Sequence, residues 1–124
     1  QAHWLRRRSE NISAYEVERV VAGCPGVKEV VVVGVPSEYG EDEVKAFVVP
    51  QPGATLEPAA IARWCEGRIA AFKIPRFVEL VDDLPRSSAK QEIERHKLKA
   101  RGNERAWDRE AHEPRRHAGA SSVS

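Results

Sequence analysis

Val17, Val20, Val21 and Cys24 recur at the i, i+3, i+4, i+7 spacing that lays one apolar stripe along a helix. The stripe predicts a first helix over 14–23, stopped by Cys24-Pro25-Gly26. Ser13 followed by Glu16 has the form of a capping box: the hydroxyl accepts from the Glu16 backbone N–H and the carboxylate reaches back. Residues 27–35 are nearly all valine, too short a run for a buried helix and rich in β-branched side chains, which predicts a central strand. Pro36-Ser37-Glu38-Tyr39-Gly40 turns the chain, and 43–49 alternates with Val44, Ala46 and Val48 on one face, a second strand antiparallel to the first. A second helix is expected over 57–70, with Ile61, Trp64, Cys65 and Ile69 as its buried stripe and Pro58 tolerated in the first turn. A third strand over 77–81, a turn at Asp82-Asp83-Leu84-Pro85, a basic loop to Lys90 and a short helix over 93–98 follow. Residues 1–12, with Trp4 and Leu5 as their apolar part, read as an extended or hairpin lead-in. The order helix–strand–strand–helix–strand predicts an α+β domain, a small antiparallel three-stranded sheet with helices packed on it. The domain is placed at 1–98, and 99–124 reads as a charged, largely disordered tail.

Composition adds little until charge is divided along the chain. At 124 residues, 41% hydrophobic and 31% charged, the chain is globular and large enough for one core. Its net charge of +1 conceals an asymmetry: residues 1–12 carry a net +2, residues 13–83 a net −5, and residues 84–124 a net +4. Basic ends around an acidic middle point to anionic ligands met at the ends. The acidic middle and the lack of interleaved aromatics argue against a nucleic-acid groove. No apolar run reaches the length of a membrane span, and the chain shows no signal peptide, so cytoplasm is the expected compartment. It begins at Gln1 and has no methionine, which suggests a piece cut from something longer.

No constellation makes a self-contained enzyme. There is no glycine-rich phosphate loop, no nucleophile motif and no His/Cys spacing for a metal. Cys24 and Cys65 both fall on apolar helix positions and read as small core residues. His96 lies between Arg95 and Lys97 on a solvated helix, and Asp82-Asp83 before Leu-Pro is turn chemistry. What remains is Lys90 on the basic loop, an ammonium able to stabilise charge on a transferring phosphoryl or carboxylate oxygen. Three arginines and then Glu10-Asn11 also sit ahead of a helix N-terminus, where backbone N–H groups favour anions.

Several motifs stand in one order: Arg6-Arg7-Arg8-Ser9-Glu10-Asn11-Ile12-Ser13, Gly34-Val35-Pro36 with Tyr39-Gly40-Glu41, Ala46-Phe47-Val48-Val49, Phe72-Lys73-Ile74-Pro75-Arg76 and Leu84-Pro85-Arg86-Ser87. Together they resemble the small C-terminal domain of the adenylate-forming enzymes, the acyl-CoA synthetases and ligases, over roughly residues 3–98. The first motif is most similar to the carnitine/crotonobetaine-CoA ligase type, and Trp107-Asp108-Arg109-Glu110 resembles that group's C-terminal segment.

The resemblance implies a two-step reaction shared with a large N-terminal adenylation domain. That domain binds a carboxylic acid together with ATP and Mg, and forms an acyl-adenylate. The small domain supplies a lysine, here Lys90, then rotates about a hinge. Ser9, Glu10, Asn11 and Ile12 then line the channel through which the CoA thiol attacks. The isolated chain is expected to be inactive. Three positions depart from the family pattern. The hinge falls at Ala2 and His3, where the family has an acid or lysine. Ser9 stands where the family has glycine, and its side chain narrows the channel. The family loop reads Leu-Pro-x-Thr-x-x-Gly-Lys, which puts its glycine on Lys90 and its lysine on Gln91. Lys90 is thus one residue out of register, about 3.8 Å along the chain. These departures keep a second expectation open, a non-catalytic remnant or stand-alone domain that binds CoA or a partner protein.

Overall fold

The computed structural model describes residues 4–7, 10–37, 40–89 and 91–112. In chain order these form β1 (Trp4–Arg7), β2 (Glu10–Ser13), α1 (Ala14–Ala22), β3 (Val27–Pro36), β4 (Asp42–Pro50), α2 (Pro58–Cys65), a 3-10 turn (Ala71–Lys73), β5 (Phe77–Leu80), α3 (Arg95–Lys99), β6 (Trp107–Asp108) and α4 (Arg109–His112). The valine run makes β3, and β4 pairs with it antiparallel from Val27↔Pro50 to Pro36↔Asp42.

The sheet differs from the antiparallel three-stranded one expected. It has four strands in the order β3-β4-β5-β6, while β1 and β2 form a separate two-stranded sheet. β5 lies parallel to β4, from Lys45↔Phe77 to Val48↔Leu80. The reason is the connection: a strand reached through a helical crossover such as α2 returns in the same direction. β6 pairs antiparallel with β5 through Phe77↔Asp108 and Val78↔Trp107. It lies in the stretch whose composition reads as a disordered tail; the structure gives order there as far as residue 112, and the remainder lies outside the described residues. Two residues carry no periodicity from which a strand can be read.

Other boundaries shift for local reasons. α2 ends at Cys65 rather than near residue 70, with Gly67 at φ +80° just beyond it. Left-handed glycine is a common way to end a helix. Ile93 is held extended by a bridge to Arg86, so α3 starts at Arg95. Ser13 is the N-cap of α1 but makes no side-chain cap bond, so the capping box does not form.

Two apolar clusters lie on opposite faces of the main sheet. Val44, Ala46 and Val48 of β4 face α1, α2 and the β1–β2 hairpin, joining Leu5, Ile12, Val17, Val21, Ile61 and Cys65. Phe47 and Val49 face the other way, with Val31, Val33, Leu84 and Leu98. β4 is therefore buried on both sides, which explains why its sequence is apolar at almost every position. The exceptions are Asp42, Glu43 and Lys45, of which the last two are buried charges that demand partners.

Candidate functional site

The hairpin carrying the Arg-rich motif is built by alternation. Leu5 faces Ile12 and Arg6 faces Asn11 across the strands. Leu5 and Ile12 are buried, whereas Arg6 and Asn11 are exposed and meet through Arg6 Nη1 and Asn11 Oδ1 at 3.4 Å. Of the expected channel residues, Asn11 thus offers its side chain to solvent and Ile12 anchors the strand in the core. Ser9 lies outside the described residues, as do Ala2, His3 and Lys90; Glu10 is described through its backbone in β2.

Side chains rather than sheet hydrogen bonds fix the hairpin to the domain. Arg7, the last described residue of β1, donates from Nε to the Phe72 carbonyl at 3.2 Å. Its Nη1 lies 2.9 Å from Glu43 and 3.5 Å from Glu41. The Arg6 backbone N–H donates to Asp42 Oδ2 at 3.2 Å. Gly34 permits this close approach: a Cβ there would come within 3.0 Å of both Asp42 and Leu5. Arg6 is thus exposed, Arg7 is taken up in an internal ionic contact, and Arg8 lies outside the described residues.

Glu43 continues the network. Its second oxygen lies 3.1 Å from Arg76 Nη1, while Arg76 Nε and Nη2 fork onto the two oxygens of Asp108 at 3.0 and 3.1 Å. Glu110 adds a contact at 3.6 Å. The Asp108 hydrogen bond, opposed by burial, pushes the Arg76 pKa up. Burial raises the Asp108 carboxyl, but hydrogen bonds from Arg76 and from the backbone N–H of Glu110 hold it below the usual carboxylate range. On the far face Lys45 is wholly buried, 3.2 Å from Glu79, and donates to Asn103 Oδ1 at 2.9 Å and the Gly102 carbonyl at 3.2 Å. Arg101 contacts the other Glu79 oxygen.

The loop leading to Lys90 is closed as a small antiparallel turn. Ser87 N–H donates to the Glu92 carbonyl at 2.9 Å, Gln91 N–H to the Ser87 carbonyl at 2.8 Å, and Glu94 N–H to the Pro85 carbonyl at 2.8 Å. Gln91 is left-handed at φ 58°, a conformation that favours glycine. Arg86 ties the loop to β3 through Glu29 at 2.7 Å.

Hairpin and loop are thus anchored at different ends of one strand. Glu29, which holds the loop, and Gly34, which seats the hairpin, are five positions apart on β3, about 17 Å at strand rise. A cavity of about 80 Å³ lies beside the hairpin, lined in part by Trp4, Leu5, Arg95 and Lys99. That is small against the ~300–1,000 Å³ of ordinary ligand pockets; an open cleft of about 290 Å³ lies elsewhere, lined in part by Leu80, Asp82, Asp83, Arg101 and Arg105. Among the described residues no group of His, Cys, Asp or Glu is arranged to hold a metal ion. Cys24 and Cys65 are free and buried, and burial first, with Cys24 beside it, pushes the Cys65 thiol up to about 11.

Sequence reasoning missed the pairing of Arg7, Glu43, Arg76 and Asp108. The signal that could have found it is Glu43 and Lys45 inside a strand that runs apolar on both faces from Ala46 to Val49.

Residues 16–90 match the family of AMP-binding enzyme C-terminal domains. The crotonobetaine/carnitine–CoA ligase of Proteus mirabilis is 38% identical over 92 residues, which cover 74% of this chain and 18% of that ligase. The ligase of the same name from Escherichia coli K12 is 37% identical over 87 residues, 70% of this chain and 17% of the ligase. Among solved structures, apo MatB from Rhodopseudomonas palustris superposes with a TM-score of 0.73 at 33% identity, over 77% of this chain and 19% of MatB. A Mycobacterium tuberculosis fatty acyl CoA synthetase gives a TM-score of 0.71 at 30% identity, over 77% of this chain and 19% of the synthetase. The chain spans about a fifth of the length of the relatives it matches.

Proposed function

The chain belongs to the AMP-binding enzyme C-terminal domain family, and from that premise we propose that it is the lid of an ATP-dependent acyl-CoA ligase. Its partner is a large N-terminal adenylation domain that binds the carboxylic acid, ATP and Mg. Lys90, carried on the loop anchored by Arg86, stabilises negative charge on the α-phosphate and carboxylate as the adenylate forms. Ser9, Glu10 and Asn11 then line the pantetheine path for CoA, with Ile12 holding their strand in the core. Ala2 and His3 fall at the hinge. Cytoplasm is the compartment this reading implies.

The observation that carries this reading is the separation of loop and hairpin along β3, from Glu29 to Gly34. With their anchors about 17 Å apart along β3, the two elements are set to meet a reacting carbonyl in separate poses. A lid that turns between half-reactions presents each in its turn. The basic ends fit the anionic ligands met in each pose.

A second reading, a lid that binds CoA or a partner protein without catalysis, is favoured by Gln91. It holds the left-handed conformation that a glycine adopts most easily, and Lys90 precedes it rather than following it. Joining the chain to its large domain separates the two. Acid-dependent ATP–pyrophosphate exchange and thioester formation, both lost when the lid is removed, are the expected results. Neither reaction with any acid tested overturns the ligase reading and supports the second.

A further inference from the structure

The 107–110 segment sits far in sequence from the hairpin, yet an unbroken series of alternating charges joins them. Asp108 and Glu110 face Arg76, Arg76 faces Glu43, and Glu43 faces Arg7. We propose that Asp108 and Arg76 are positioning residues for the hairpin, and through it for the thioester-forming step. The functional half of this statement rests on the ligase reading above.

The geometry makes the series directional. Arg76 commits Nε and Nη2 to the two oxygens of Asp108, the bidentate fork that fixes a guanidinium plane. With that plane fixed, Nη1 is aimed at Glu43 Oε2 at 3.1 Å. The Glu43 side chain is only 7% exposed, and each of its oxygens faces one arginine. A carboxylate so buried is stable only while paired, so its position follows its two cations. Arg7 is the second, and it adjoins the connection that carries Ser9. The backbone repeats the grip: Arg109 N–H donates to the Arg76 carbonyl at 2.8 Å, and Arg109 Nε to the Pro75 carbonyl at 3.4 Å.

The hairpin needs such a hold because it is a two-stranded sheet of its own. An isolated two-stranded hairpin is marginal in water. Leu5 and Ile12 supply apolar anchorage at one register position, and the arginines fix its orientation.

The test compares Asp108→Asn and Asp108→Glu with the parent in two readouts. In the full chain, amide hydrogen exchange of the 4–13 segment is expected to accelerate about tenfold in Asp108→Asn, the scale of one charge-assisted hydrogen bond, with exchange of α1 and β4 unchanged. Asp108→Glu, which keeps the charge, should restore much of the protection. In the ligase, the ratio of thioester formation to pyrophosphate exchange should fall by about the same factor in Asp108→Asn. Unchanged exchange in 4–13, or equal acceleration throughout the chain, overturns the proposal. Faster hairpin exchange with an unaltered ratio overturns its functional half. Failure of the ligase reading shows separately, as no pyrophosphate exchange in the parent, and leaves the hydrogen-exchange result standing. Arg76→Gln is the second variant and should reproduce Asp108→Asn.

Discussion

Lys73 Nζ holds both carboxylate oxygens of Glu16, at 3.0 and 3.3 Å, across 57 residues of sequence. The glutamate that the Ser-x-x-Glu spacing assigns to the start of α1 is thereby taken by the Phe-Lys-x-Pro-Arg segment. Removing the Ser13 hydroxyl should accordingly cost less than the ~1 kcal/mol usual for an N-cap. Lys73→Ala should cost at most about 1 kcal/mol, because the pair is partly exposed. Urea denaturation of both variants checks this; a Ser13→Ala loss near 2 kcal/mol contradicts it.

Lys45 and Glu79 make a stronger demand. Both are buried, with Arg101 and the 102–103 backbone and side chain completing the shell. Glu79→Ala strands the Lys45 ammonium in the core and should destabilise by about 3–5 kcal/mol, whereas replacing both by apolar residues of similar volume should recover most of the loss. A double-mutant cycle on denaturation free energies reads the difference directly. Additive single losses in the double variant contradict the pairing.

Gln91 carries the only left-handed non-glycine backbone among the described residues. Gln91→Gly should therefore stabilise by about 0.5–1 kcal/mol, the relief of the Cβ contact less the entropy that glycine adds to the unfolded chain. A loss of stability contradicts the assigned conformation.

Acid should loosen the charged series at Asp108. Its folded-state pKa is depressed by Arg76 and by backbone donors against the opposing effect of burial, with Glu110 and Glu43 sharing the same guanidinium. A depressed carboxylate contributes stability above its unfolded value near ~3.9. That contribution is lost as pH falls through the folded value. The stability gap between parent and Asp108→Asn should thus be full above about pH 5 and shrink on acidification. A gap independent of pH contradicts the ion pair.

Much of this was legible in the sequence, and the exceptions have causes. The valine run and the alternation at Val44, Ala46 and Val48 located β3 and β4, because β-branched residues and period two speak directly. The direction of β5 was also implicit in the α2 crossover, though its sequence alone is silent on it. β6 was not legible, since Trp107 and Asp108 pair by tertiary placement rather than by pattern. Helix length failed at α2 because Ile69 prolongs the apolar stripe past Gly67, which ends the helix. At the site, the motifs marked the hairpin and the loop. The partners of Arg7 and Arg76 were not legible, because Glu43, which they share, lies more than thirty residues from either.

On the proposed function, Lys90 in the 84–92 loop is the adenylation lysine. The most direct measurement is acid-dependent ATP–pyrophosphate exchange by the ligase carrying Lys90→Ala. Loss of one such charge-stabilising group should slow exchange by about 100-fold or more, while thioester formation from a supplied acyl-adenylate proceeds. An exchange rate equal to the parent's contradicts the assignment of Lys90 and shifts the weight to the non-catalytic lid.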